Sequence, residues 1–210
     1  MNIMGFQLGI LGTNGYLVSP ENSTEAFFVD PGGYHEEVTK IINSEGLNLK
    51  YIILTHGHYD HIGGVLQFME DFPDAKLVAS KEEAELLADS NVNHSLRDLG
   101  TAISLTADIE VTDGDTLEVG DLTLKIISTP GHTKGGISIY VENILFSGDT
   151  LFRMSLGRTD LHGGDHQTLV ASIKDKLFVL PDDTKVLPGH MGATTIEIEK
   201  QFNPYVRGDM

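Results

Sequence analysis

The sequence predicts an α/β sandwich, with two facing β-sheets, helices outside both, and a reactive edge where several strands end in histidine or aspartate. Three observations carry this reading. Two β-rich halves each end in helical patterns, an arrangement that two packed sheets covered by helices accommodate. The apolar run Tyr51-Ile52-Ile53-Leu54 leads directly into Thr55-His56-Gly57-His58-Tyr59-Asp60-His61, and open α/β folds collect ligands at such carboxyl ends of strands. Three later strands repeat the form, ending in Thr129-Pro130-Gly131-His132, Gly148-Asp149 and Pro188-Gly189-His190.

The elements follow in order. Residues 6–10, 16–19 and 26–29 alternate as short strands around a Gly12-Thr13-Asn14-Gly15 turn, an antiparallel meander that closes on Asp30-Pro31-Gly32-Gly33. Residues 36–44 place Val38, Ile41 and Ile42 on one helical face, and Gly46 just beyond suits the left-handed end of a helix. A β-α-β-α run comes next: strand 51–54, helix 61–70, strand 76–79, helix 81–88. Residues 89–106 lack a clear period, and a loop of that length is expected to cover the site. The second half has strands 109–111 and 116–119, a Gly120-Asp121 hairpin, and strands 122–128, 137–141 and 144–146. Helix 166–178, strand 185–187 and a helix over 195–201 complete the chain.

The four strand ends offer five histidines (His56, His58, His61, His132, His190) and two aspartates (Asp60, Asp149). Alternate residues of an extended chain point the same way, so His56 and His58 converge on one cation. Asp60 and His61, at the start of a helical pattern, face a neighbouring one. The expected assignment is His56, His58 and His132 to a first metal, Asp60, His61 and His190 to a second, and Asp149 bridging the two. Divalent ions so held lower the pKa of a shared water toward neutrality and generate hydroxide, the nucleophile of a hydrolase. Asp60 is the expected catalytic group, orienting that hydroxide and accepting its proton. Zinc is the expected ion, with iron or manganese also compatible.

Composition narrows the alternatives. A formal net charge of −17 over 210 residues opposes a nucleic-acid or anionic-membrane partner. Cysteine is absent, which leaves imidazole and carboxylate as ligands. No signal peptide or membrane-length apolar run is evident, so a cytoplasmic protein of one domain over residues 1–210 is expected. His35, His94, His162 and His166 read as surface or loop histidines and Lys134 as solvated. Tyr59 is expected to turn away from the metals. Gly63-Gly64 reads as a site of close helix packing, and Glu82-Glu83-Glu85 as the wet face of a helix.

With His56-x-His58-x-Asp60-His61, His132, Asp149 and His190 in this order, essentially the whole chain resembles the metallo-β-lactamase superfamily. The resemblance implies a four-layer αββα sandwich of two mixed β-sheets with metals at its edge. Ser147-Gly148-Asp149-Thr150-Leu151-Phe152 and Leu156-Gly157-Arg158-Thr159-Asp160 are most similar to the glyoxalase II branch, in its short bacterial form. That branch hydrolyses glutathione thioesters, and it implies an acyl thioester as substrate and Arg158 as a group that binds the substrate carboxylate. The other reading of Arg158 is a turn pair with Asp160 or Asp165. Asp160 stands where glyoxalase II has tyrosine, and the helical extension that contacts glutathione is not found after Asn203-Pro204. A shallow, tolerant thiol site is therefore expected. The alternative enzyme is a persulfide dioxygenase with one iron on His56, His132 and Asp149. A lactonase or other ester hydrolase and a non-enzymatic metal-binding scaffold rank below it.

Overall fold

The computed structural model describes residues 1–207. Strands β1 (Asn2–Leu8), β2 (Thr13–Ser19) and β3 (Glu25–Val29) form the antiparallel meander, and helix α1 (Glu36–Ser44) follows. Strand β4 (Asn48–Ile53) leads to short helices α2 (Tyr59–Ile62) and α3 (Val65–Asp71). Strand β5 (Lys76–Ser80) then runs through a 3₁₀ turn, Lys81–Glu83, into α4 (Ala84–Ala88). After α5 (Ser95–Asp98) and β6 (Ile109–Val111), strands β7 (Thr116–Val119), β8 (Leu122–Ser128), β9 (Ile137–Val141) and β10 (Ile144–Gly148) form the second meander. A small hairpin, β11 (Leu151–Phe152) with β12 (Ser155–Leu156), precedes α6 (His166–Ser172) and a π-helical turn, Ile173–Leu177. The described chain closes with β13 (Lys185–Pro188), β14 (Thr194–Thr195), α7 (Ile196–Phe202) and α8 (Pro204–Arg207).

Two mixed six-stranded sheets result, in the orders β1-β2-β3-β4-β5-β6 and β14-β13-β10-β9-β8-β7. The meander pairs β1, β2 and β3 antiparallel, whereas β3 to β6 run parallel. In the second sheet only β10 and β13 are parallel. Strand alternation explains the layers, because successive side chains leave opposite faces. Phe27 and Val29 join Ile53, Val78, Ile139 and Phe146 between the sheets, while Ala26 and Phe28 meet Val38, Ile42 and Phe68 under α1 and α3. A third cluster packs Leu145 and Val186 against Leu169, Ile173 and Ile196 on the far face. These clusters are the seams of the expected four-layer αββα sandwich.

Several boundaries differ from the sequence expectation. The first strand lies at residues 2–8 rather than 6–10, and Thr13 to Gly15 belong to β2 rather than to a turn. Asn14 is held there by its N–H on Gly189 O at 2.8 Å and its side-chain amide on Pro188 O and Met191 O. The helix expected over 61–70 is broken between α2 and α3 at Gly63-Gly64. A Cβ on Gly63 would sit 2.5 Å from Gly32 O, and one on Gly64 2.6 Å from Gly33 C, so the close packing read from this pair is present. The β11–β12 hairpin is too short to show a period, and Met154 in its turn has φ 58°, a conformation few non-glycine residues reveal by type.

Candidate metal centre

The carboxyl ends of β4, β8, β10 and β13 meet at one edge of the sandwich, with α2 beside them. His56 and His58 leave the segment after β4, and Asp60 and His61 lie in the first turn of α2. His132 follows β8, Asp149 directly follows β10, and His190 follows β13. All seven predicted donors converge. Nε2 of His132 lies 2.9 Å from His58 Nδ1 and 3.2 Å from His56 Nε2. His190 Nε2 is 3.0 Å from Asp60 Oδ2, and Asp149 reaches toward His61 (3.3 Å), His190 (3.6 Å) and His132 (3.8 Å).

Three donor groups have their atoms within 4.8 Å of one another: His56, His58 and His132; His56, His61 and Asp149; Asp60, His61 and His190. Buried polar atoms are normally hydrogen-bonded. Yet His58 Nε2, His61 Nε2 and Asp149 Oδ1 are buried without a hydrogen-bond partner. Lone pairs gathered in this way suit a divalent cation, with imidazole and carboxylate as its ligands. Gly189 keeps the space open, since a Cβ there would lie 2.5 Å from Asp149 Oδ1 and 2.6 Å from His61 Cε1.

The outward ring nitrogens fix which nitrogen faces the centre. His132 Nδ1 donates to Arg158 O at 2.7 Å, leaving Nε2 as a lone pair. His61 Nδ1 donates to Asp30 Oδ2 at 2.9 Å. The Thr55 hydroxyl gives its proton to the same Asp30 oxygen at 2.6 Å, so it accepts from His56 Nδ1 at 3.2 Å. One buried carboxylate thereby orients two imidazoles, the role that outer carboxylates play around metal-binding histidines. Asp30 was not singled out in the sequence, although Asp30-Pro31-Gly32-Gly33 ends β3 in the same manner as the other site-bearing strands.

Electrostatics divide the cluster. Burial, reinforced by His132, drives His58 down to about 3, and burial also lowers His56 and His132, so this group stands neutral with lone pairs available. For His61 burial acts in the same direction, but Asp149, Asp60 and Asp30 overcome it and hold the ring well above its ordinary value. His190 is raised against its own burial by the hydrogen bond to Asp60 and by Asp149. Asp60 in turn stays ionised, because His61 and His190 outweigh the burial that opposes its charge.

Two expectations need correction. His94 lies in a loop but not at the open surface: with φ 70° it lines the cavity beside the cluster, its ring 6.2 Å from that of His58. The loop over 89–106 thus does border the site, through His94 and Arg97. Glu83 is not on a wet helix face but is 1% exposed, accepting hydrogen bonds from Gly57 N, Thr133 Oγ1 and Gly135 N. Burial raises its pKa, and these donors oppose the rise. Tyr59 also lines the cavity.

The other residues match their sequence readings. His35, His162 and His166 are exposed, and Lys134 pairs with Glu82 at the surface. The exposed Arg158 side chain makes a two-pronged pair with Asp160, both contacts 2.7 Å, and still lines the cavity. Asp165 instead caps α6.

A profile of the metallo-beta-lactamase superfamily matches residues 8–190. The chain belongs to this superfamily. Hydroxyacylglutathione hydrolase GloC of Haemophilus influenzae is 35% identical over 190 residues, 89% of each chain. Among solved structures, the BLEG-1 B3 metallo-beta-lactamase is 39% identical with a TM-score of 0.90, over 98% of this chain and 99% of the other. TTHA1623, solved in a di-iron-bound form, is 32% identical with a TM-score of 0.84, over 96% and 99%. Membership of this metallo-hydrolase superfamily accounts for the fold and for a divalent-metal centre at its edge.

Proposed function

We propose that the protein is a dinuclear metallo-hydrolase that cleaves an acyl thioester. His56, His58 and His132 would hold one divalent cation, Asp60, His61 and His190 the other, and Asp149 would contribute to both. Zinc is the preferred ion for this donor set, and the di-iron form of TTHA1623 keeps iron in view. When bound, such cations acidify water and polarise a carbonyl. The side chains do the rest: Asp60, held ionised beside His190, would orient the attacking water and take up the proton it releases. Asp30 and Thr55 take the outward Nδ1 of His61 and His56, so that Nε2 of each ring faces the centre.

A cavity of about 510 Å³ opens above the cluster. Leu11, Phe152, Leu156, Leu161 and Met191 give it an apolar wall suited to the acyl and thiol arms, with Arg97 and Arg158 as cations. Leu11 and Met191 are more than half exposed, so this wall is open toward solvent. The observation that carries the thioester assignment is the 35% identity to GloC over 89% of both chains. The 39% identity to BLEG-1 favours a second reading, attack on a β-lactam carbonyl by the same centre.

A substrate panel assayed with zinc-reconstituted protein separates these readings. Lactoyl and acetyl thioesters should be cleaved, lactoylglutathione with a KM well above that of the best substrate, and thioesters of smaller thiols with comparable or better efficiency. Turnover of a chromogenic cephalosporin without thioester cleavage would transfer the assignment to β-lactams. One iron per chain with thiol-dependent oxygen uptake would replace hydrolysis by oxygen chemistry.

Arg158 has a sharper test. If its guanidinium exchanges Asp160 for a substrate carboxylate, Arg158→Ala should raise KM for an acidic thioester by about tenfold, the scale of one charge-assisted hydrogen bond. A neutral thioester should be nearly unaffected. Equal effects on both would leave Arg158 as a loop residue whose contribution is its carbonyl on His132.

A further inference from the structure

Glu83 ends the 3₁₀ turn after β5, a strand whose end carries no donor, and is 1% exposed. Its two carboxylate oxygens are divided between two loops. Oε1 accepts the Gly57 N–H at 2.9 Å, and Gly57 lies between His56 and His58. Oε2 accepts the Gly135 N–H at 2.8 Å and the Thr133 hydroxyl at 3.1 Å, just beyond His132. Among the described residues it makes no hydrogen bond to Asp60, His61, Asp149 or His190. The carboxylate therefore ties together the two segments that carry one donor group and leaves the other group alone.

We infer that Glu83 is a positioning residue for one half of the centre, its carboxylate fixing the spacing of His56, His58 and His132 and thereby setting the affinity of the cation they hold. The inference rests on the dinuclear reading above. All three partners of Glu83 donate, so the residue must accept on both oxygens. A glutamine of the same shape turns an NH₂ toward one loop, where donor meets donor. Whichever way the amide sits, one of the two loops is released.

The test is a pair of double-mutant comparisons by zinc titration of metal-depleted protein against a chromophoric chelator. In a His190→Ala background the remaining ion lies with His56, His58 and His132, and adding Glu83→Gln should weaken it about 10- to 100-fold, the usual cost of removing an outer-shell partner. In a His58→Ala background the remaining ion lies with Asp60, His61 and His190, and the same change should weaken it less than about twofold, because coupling between groups without shared partners is small. Equal weakening in both backgrounds, or none in the first, overturns the inference. Thr133→Val, which removes one donor and keeps the shape, should give a smaller loss confined to the first background and carries the test if Glu83→Gln does not fold. Unchanged zinc affinity in Thr133→Val overturns the inference in that case. Unmodified protein that binds no zinc overturns the dinuclear reading itself, whereas two bound ions with a Glu83→Gln effect blind to background overturns this inference alone.

Discussion

Asp149→Ala is expected to lower kcat/KM at least about a thousandfold, or about 4 kcal/mol of transition-state stabilisation, and to reduce bound metal from two ions to at most one. The reason is its location between the two donor groups. Its carboxylate approaches His61 on one side and His132 and His190 on the other, and Oδ1 has no hydrogen-bond partner to occupy it. Among the described residues no other carboxylate touches both groups, since Asp60 faces His190 and His61 while Asp30 stands behind His61 and Thr55. The fold should survive. Asp149 contributes nothing to the three apolar clusters, so far-UV circular dichroism of the metal-free variant should match that of the unmodified protein. Near-normal thioester turnover with two ions still bound to Asp149→Ala would sink the shared-carboxylate reading.

The seven donors were legible in the sequence because five follow an apolar strand within a few residues and Asp60 and His61 open the helix just beyond the first of these strands, and strand ends in such folds share one edge. Local pattern sufficed there. The supporting residues were less legible, because their roles come from approaches between distant segments. Glu83 looks like one acid among Glu82 and Glu85, and only the arrival of Gly57 and Gly135, 26 and 52 residues away, removes it from water. Asn14 reads as a turn residue beside two glycines until β13 supplies the carbonyls that hold it in a strand. His94 reaches the cavity through a left-handed backbone that its residue type does not announce. The layered fold was readable for the opposite reason: the continuous apolar runs that end β3 and β4, which mark buried strands, and the helical spacing in α1 are local patterns. The broken helix at Gly63-Gly64 lay between these cases, since the glycines were visible but the Gly32-Gly33 backbone that presses against them was not.

Asp30 gives the last and most selective test of how the rings are oriented. Asp30→Asn should preserve the backbone, because asparagine tolerates the φ of 49° found there, and its oxygen can still accept the Thr55 N–H that Asp30 Oδ1 accepts at 2.7 Å. The amide NH₂ then stands where Oδ2 stood, facing two groups that both donate, His61 Nδ1 and the Thr55 hydroxyl. Both must reverse. His61 would accept at Nδ1 and carry its proton on Nε2, the atom that faces Asp149. The Thr55 hydroxyl would turn toward His56 Nδ1 and move that ring's proton to Nε2, the atom facing His132. The opposite amide orientation sets NH₂ against the Thr55 N–H and offers no escape. Two donor nitrogens would thus be capped by protons, and metal affinity should fall by about 10- to 100-fold or more, the scale seen when an outer carboxylate is lost behind a ligating histidine. Imidazole ¹⁵N spectra of the metal-free variant should show the proton moved to Nε2 in His56, the ring that burial holds neutral, while His132, held by Arg158 O, keeps its own on Nδ1. Unchanged ring spectra together with full zinc affinity would mean that the strand ends alone orient the donors, and that Asp30 serves only the packing of the β3 turn.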